Sequence, residues 1–242
     1  MILKNVLFLA AYTARSQAYA QAMAYAGFSP EKVWLLGAEK GGLPGQLSGE
    51  ALEKSAGFAD LFLPDLGISL KSTCETNGWN TKALSASSVN DEMVLRELKQ
   101  APPAFVIYSG YGGQIVSPEL IRTGIPFLHI HGGWLPDFKG STTLYYSWLE
   151  EGYCGASAVF LEEGIDRGPV LKRKKYPIPP SSIDPDYIYD CAIRADLLLD
   201  VLKEYASAGK LPEAIPQTEE GETYYVIHPV LKHLARLSYE KE

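Results

Sequence analysis

The sequence predicts an α/β fold: a mostly parallel central sheet followed by a short C-terminal α+β extension. Three observations predict it. The chain opens with a buried strand, an alanine-rich helix and a second strand, and such β-α-β units cross over right-handed onto a parallel sheet. Apolar runs of strand length recur at residues 104–108 and 125–131, with turn residues soon after each. A long helical pattern then follows the break at Pro177, Pro179 and Pro180.

Val6 to Ala11 reads as the first buried strand, Ser16 to Ala26 as a helix closed by Gly27, and Lys32 to Leu36 as the second strand. No GxGxxG follows the first strand, so a standard dinucleotide fingerprint is absent. Gly41, Gly42, Pro44, Gly45 and Gly49 mark a loop, and Asp60 to Leu63 reads as a short strand. Val89 to Lys99 reads as a helix with Asn90 or Asp91 as its cap. Ala104 to Tyr108 is a strand leading into Ser109-Gly-Tyr-Gly-Gly113, and Ser117 starts a helix with proline in its first turn. Ile125 to His131 is the next strand, Ser141 opens a helix through Leu149 and Glu150, and Ala156 to Leu161 and Val170 to Tyr176 are two more strands. Asp184 to Ala206 carries apolar residues at helical spacing: Ile188, Ala192, Ala195, Leu198, Leu199 and Leu202. A short strand, Thr223 to Ile227, and a terminal helix complete the chain. The expected division is a catalytic domain over 1–180 and a helical extension over 181–242 packed on it.

The chain has 242 residues, 46% hydrophobic and 21% charged, enough to bury a sizeable core. Its net charge of −7 argues against a general nucleic-acid or membrane-surface binder, since phosphate affinity comes largely from clustered Lys and Arg. The basic run Lys172, Arg173, Lys174 and Lys175 reads as a solvated strand edge. Cys74, Cys154 and Cys191 are scattered and odd in number, which suggests a reducing compartment. No apolar run approaches the roughly 18 residues of a membrane span, and the N-terminus lacks a signal-peptide layout. A cytoplasmic location is expected.

The chemistry concentrates in two stretches. Phe127-Leu-His-Ile-His-Gly-Gly places His129 and His131 two residues apart at the end of a strand, so both imidazoles face the same side. Leu161-Glu-Glu-Gly-Ile-Asp-Arg-Gly-Pro169 places Asp166 in a glycine-flanked turn. A packed histidine pair and a turn-forming aspartate are the bland readings of these residues. Likewise His228, before Pro229, reads as a surface or capping histidine, and Trp134, Tyr145 and Tyr146 read as packing residues.

Leu128-His-Ile-His-Gly-Gly-Trp-Leu-Pro-Asp-Phe-Lys-Gly140, followed by Gly155-Ala-Ser-Ala-Val-Phe-Leu-Glu-Glu-Gly-Ile-Asp-Arg-Gly-Pro-Val-Leu171, resembles the folate-dependent formyltransferase superfamily. The family pattern is Asn-x-His, a loop ending in Leu-Pro and a glycine, then an acidic-Gly-x-Asp loop. The resemblance covers roughly residues 100–175 and implies a Rossmann-like formyltransferase fold. It implies His131 and Asp166 as catalytic residues, with His129 where the family has asparagine. A histidine there could donate to the developing oxyanion, more strongly if protonated, and would titrate near neutrality with an unperturbed pKa of about 6.5. The resemblance further implies 10-formyltetrahydrofolate as co-substrate, bound at Gly110, Gly112, Gly113, Gln114 and Ile115 and at Leu161, Glu163 and Gly164. No metal is required. The acidic balance and the modest tail beyond Pro180 favour a small amine acceptor over tRNA: an amino sugar, a sugar nucleotide or a nonulosonate precursor. Arg194 and Lys172 are candidates to meet its phosphate or carboxylate. Neither a nucleic acid nor a membrane is expected as a partner; a homodimer is. The rival readings are a formyltetrahydrofolate hydrolase, a metal-dependent hydrolase using the His-x-His pair, and a non-catalytic folate binder.

Overall fold

A computed structural model describes residues 1–38, 57–218 and 221–239. Its seven-stranded sheet has the order β3-β2-β1-β4-β5-β7-β8. β1 (Ile2–Ala11), β2 (Ser29–Leu36), β3 (Thr81–Leu84), β4 (Phe105–Ser109) and β5 (Phe127–His131) run parallel, while β7 (Cys154–Phe160) and β8 (Val170–Tyr176) add antiparallel pairs. The mostly parallel sheet expected from the sequence is therefore present, with a hairpin on one edge.

β1 shows why the sheet is buried on both faces. Val6, Phe8 and Ala10 enter one core cluster, and Leu7, Leu9 and Ala11 enter the other. The first cluster packs against α1 (Ala14–Tyr25) and the long helix α6 (Asp190–Ala208). The second packs against α3 (Glu92–Gln100) and α4 (Pro118–Ile121). α1 starts at Thr13, whose side chain accepts from the Ser16 N–H, and its small Ala18 and Ala22 are buried at that packed surface. The start of α6 is set by Asp184, which caps a π turn over Pro185–Tyr189. Leu197, Leu198, Leu202 and Ala235 belong to the same core cluster as Val6, Phe8 and Ala10 of β1.

Several elements differ from the sequence expectation. Asp60 begins no strand; Phe58–Asp60 is a 3-10 turn. α2 (Leu70–Thr76) and β3 are additions. A second, two-stranded sheet pairs β6 (Phe138–Gly140) with β9 (Glu222–Tyr224), and α5 is Thr143–Glu151, two residues later than expected. β9 stops at Tyr224 because the Ile227 N–H turns to the Thr142 hydroxyl at 2.8 Å. The terminal helix, α7, is Pro229–Tyr239, and the Nδ1 of His228, read from the sequence as a surface or capping histidine, accepts from the Val230 N–H at 3.2 Å. The Gly41–Gly49 loop lies outside the described residues. No helix among the described residues is long and apolar enough to cross a membrane.

Candidate active site

β5 positions the histidines. Leu128 and Ile130 face the main core, which leaves Phe127, His129 and His131 on the other face. After His131 the chain turns through Gly132 and Gly133 to a cis Leu135–Pro136 bond. Ser157, opposite His131 in β7, holds this turn by donating to the Gly133 carbonyl at 2.7 Å and accepting from the Leu135 N–H at 3.0 Å. Gly133 is required here, because a Cβ would lie 2.7 Å from the His131 ring and 2.6 Å from the Phe138 carbonyl.

His131 is 4% exposed. Its Nε2 lies 2.7 Å from the Phe138 carbonyl oxygen. A carbonyl only accepts, so Nε2 carries the proton and Nδ1 is the basic nitrogen. Nδ1 faces Asp166 Oδ1 at 3.4 Å. The other oxygen of Asp166, Oδ2, accepts the Gly140 N–H at 2.8 Å. Asp166 itself sits at φ +53°, a left-handed conformation that aspartate tolerates better than most residues. Gln217 secures that turn by donating to the carbonyls of Asp166 and Gly168 at 2.8 and 2.7 Å.

Burial pushes the His131 pKa below its ordinary value; Asp166 opposes that shift, and Arg194 adds to it. The His129 pKa is pushed lower still, first by burial, then by the charges of Arg15 and Arg194. The Nδ1 of His129 is buried without a hydrogen-bond partner among the described residues. The near-neutral titration expected for His129 therefore gives way to a neutral ring at pH 7, because burial, and after it two guanidinium groups, make a positive charge there costly. The sign for stability follows. Histidines with depressed folded pKa values stabilise the fold fully above the unfolded value of about 6.5, and that contribution is lost as pH falls through the folded values. Urea unfolding should show lower stability at pH 5.5 than at pH 7.5, with a smaller difference in His129→Asn; an unchanged pH slope in the variant would contradict this electrostatic account.

Arg194 on α6 donates to the Ile130 carbonyl at 2.9 Å and pairs with Asp190 at 2.8 Å. It packs so closely under the turn that a Cβ on Gly132 would lie 2.3 Å from it. Both members of the ion pair are largely buried, so Asp190→Asn is expected to destabilise the protein by on the order of 3 kcal/mol, measurable by denaturant unfolding.

These groups open into one cavity of about 450 Å³, in the range of small-ligand sites. It is lined by His129, His131 and Asp166 together with Gly112, Gly113, Gln114, Ile115, Leu161 and Gly164, so most of the expected folate loop residues meet the histidines there. Glu163 does not; it is exposed and pairs with Arg122 at 3.0 Å. Gly110 also lies outside the lining, packed where a Cβ would meet the Tyr108 hydroxyl at 2.1 Å. Lys172 pairs with Glu204 away from the cavity, whereas Arg194 lines it. Sequence reasoning missed Arg15, Tyr111, Thr143 and the wall formed by Thr223 to Val226. Arg15 had a usable signal: it follows the first strand of a parallel sheet, where ligands gather at the strand ends. Among the described residues no group of three or more His, Cys, Asp or Glu side chains is placed to hold a metal ion.

The formyl transferase family model matches residues 66–191, just over half of the chain. The chain belongs to the formyl transferase family. Over 161 residues it is 31% identical to the methionyl-tRNA formyltransferase of Thermus thermophilus, covering 64% of this chain and 50% of that protein. It therefore spans about half the length of the curated relatives it matches. The structure resembles a phosphoribosylglycinamide formyltransferase from Anaplasma phagocytophilum at TM-score 0.59 and 14% identity, covering 91% of this chain and 97% of the other. It also resembles a sugar N-formyltransferase from a Shewanella species at TM-score 0.58 and 16% identity, covering 97% and 87%. At such identities the structural likeness establishes the fold of this formyl transferase, the fold its motifs implied.

Proposed function

We propose that this formyl transferase moves the formyl group of 10-formyltetrahydrofolate onto the primary amine of a small acceptor, an amino sugar or a sugar-nucleotide or nonulosonate precursor. The observation that carries the reading is the buried His131, with its basic Nδ1 against Asp166, opening into a cavity beneath a glycine-rich loop. The amine nitrogen attacks the formyl carbon and forms the new C–N bond. The amine proton passes to His131 Nδ1, and Asp166 stabilises the resulting imidazolium. Collapse of the tetrahedral intermediate breaks the bond from the formyl carbon to N10 of the folate. The electron pair returns to N10, which takes the proton from His131. His129 lines the same cavity beside His131 and would face the oxyanion from there.

The cavity suits the donor. Gly112 and Gly113 lack side chains that would keep a planar ring from the backbone, and Ile115 and Ile165, 63% and 53% exposed, stand at its lip. The net charge of −7 supports a small acceptor over a polyanion.

Thermal unfolding with 5-formyltetrahydrofolate tests the donor site. Ligand at about 100 times its dissociation constant should add about 2.7 kcal/mol, a midpoint rise of roughly 2–4 °C. Mass spectrometry of amine mixtures incubated with 10-formyltetrahydrofolate then tests transfer. No rise and no formylated product would remove the proposal; formate release without added amine would assign water as the acceptor.

A further inference from the structure

Resting on that reading of the site, we propose that Arg15 reads the acceptor: it receives a carboxylate or phosphate carried by the amine substrate. Arg15 lies in the first turn of α1, at the carboxyl ends of β1 and β4. The order of strands reverses there, and in open α/β sheets that crevice is where ligands bind. Arg15 lines the same cavity as His129, His131 and Asp166.

Its guanidinium is fixed, and no described residue neutralises it. Nε donates to the Ser109 hydroxyl at 3.2 Å, and one terminal nitrogen donates to the Gly110 carbonyl at 2.7 Å. Ser109 is held in turn by the Ser16 hydroxyl at 2.8 Å. The other terminal nitrogen makes no hydrogen bond with a described residue, and no carboxylate among the described residues comes within ion-pair distance of Arg15. Arg194, the other arginine of the cavity, is matched by Asp190. The cavity therefore keeps one preorganised positive charge that no described carboxylate matches. A planar guanidinium pairs best with a carboxylate or phosphate. An anion there would leave the amine of the same molecule free to reach the formyl carbon above the histidines.

The test compares three matched amines, glucosamine, glucosaminuronate and glucosamine 6-phosphate, with 10-formyltetrahydrofolate and with wild type, Arg15→Gln and Arg15→Lys. In wild type one anionic amine should exceed glucosamine in kcat/KM by on the order of 10- to 100-fold, the scale of a charge-assisted bond. The better of the two names the anion. Arg15→Gln should erase the preference with donor KM within about twofold of wild type, and Arg15→Lys should retain part of it. Equal rates on neutral and anionic amines in wild type, or a loss that falls on donor KM, would overturn the assignment. If none of the three is formylated, phosphate and acetate binding at constant ionic strength to protein saturated with 5-formyltetrahydrofolate decides it. Binding weakened at least tenfold in Arg15→Gln supports the anion site while formyl transfer fails; unchanged or undetectable binding sinks it. Failure of 5-formyltetrahydrofolate itself to bind would count against the transfer reading instead.

Discussion

His131→Ala is expected to reduce formyl transfer by on the order of 10²–10⁴-fold, the usual worth of a positioned general base. The case rests on which ring nitrogen is free. The Phe138 carbonyl takes the Nε2 proton at 2.7 Å, so the lone pair is on Nδ1, next to Asp166. Burial keeps the ring unprotonated at neutral pH, and Asp166 supplies the charge that makes proton uptake feasible during the reaction. Asp166→Asn should show a comparable loss for a complementary reason. Asparagine adopts the left-handed backbone of position 166 readily, and its amide oxygen can still accept from Gly140, so the turn should survive. What disappears is the negative charge facing the imidazolium. The pair of variants separates chemistry from folding: turnover should collapse in both, while Asp166→Asn unfolds within a few degrees of wild type. Turnover within tenfold of wild type in either would remove the proton-transfer role.

The parts of this architecture legible in the sequence were those in which local pattern and burial agree. β1 alternates between two cores, so its apolar run is unbroken, and the period of two in β5 put both histidines on one face. β3 gave no such signal because Thr81, Lys82 and Ala83 are exposed on an edge strand. Asp60 to Leu63 gave a false one: a short apolar run does not distinguish a strand from a 3-10 turn. The motif histidines and Asp166 lie close in space through contacts between β5, the turn after it and the loop before β8. The rest of the cavity depends on long-range contacts that spacing does not encode. Arg15 and Ser109 meet from positions 94 residues apart, and Gln217 reaches the Asp166 turn from 51 residues away. The pKa of His129 was illegible for the same reason, since the burial that depresses it, and the two arginines of α1 and α6 that add to it, arise only in the folded chain.

Gly140→Ala should cost both stability and turnover, because the C-terminal strand and the reacting aspartate meet at this one residue. Gly140 has φ +98°, and a Cβ there would lie 2.1 Å from the Tyr224 carbonyl oxygen. That oxygen is not free to move: it accepts the Ser141 N–H at 2.9 Å, and Tyr224 is stacked on Phe138 with ring centroids 5.5 Å apart. The alanine must therefore either separate β6 from β9 or shift Gly140's own N–H, which holds Asp166 at 2.8 Å. Backbone strain alone is worth about 1–3 kcal/mol. A displacement of Asp166 by about 1 Å can cost on the order of 10²-fold in rate. The two routes give different signatures. If β9 separates, hydrogen exchange at the Ser141 amide should accelerate and acceptor KM should rise, since Thr223 to Val226 line the cavity. If the Gly140 amide moves instead, kcat should fall with KM nearly unchanged. Wild-type stability together with wild-type turnover would mean that the contact between β6 and β9 does not hold the site.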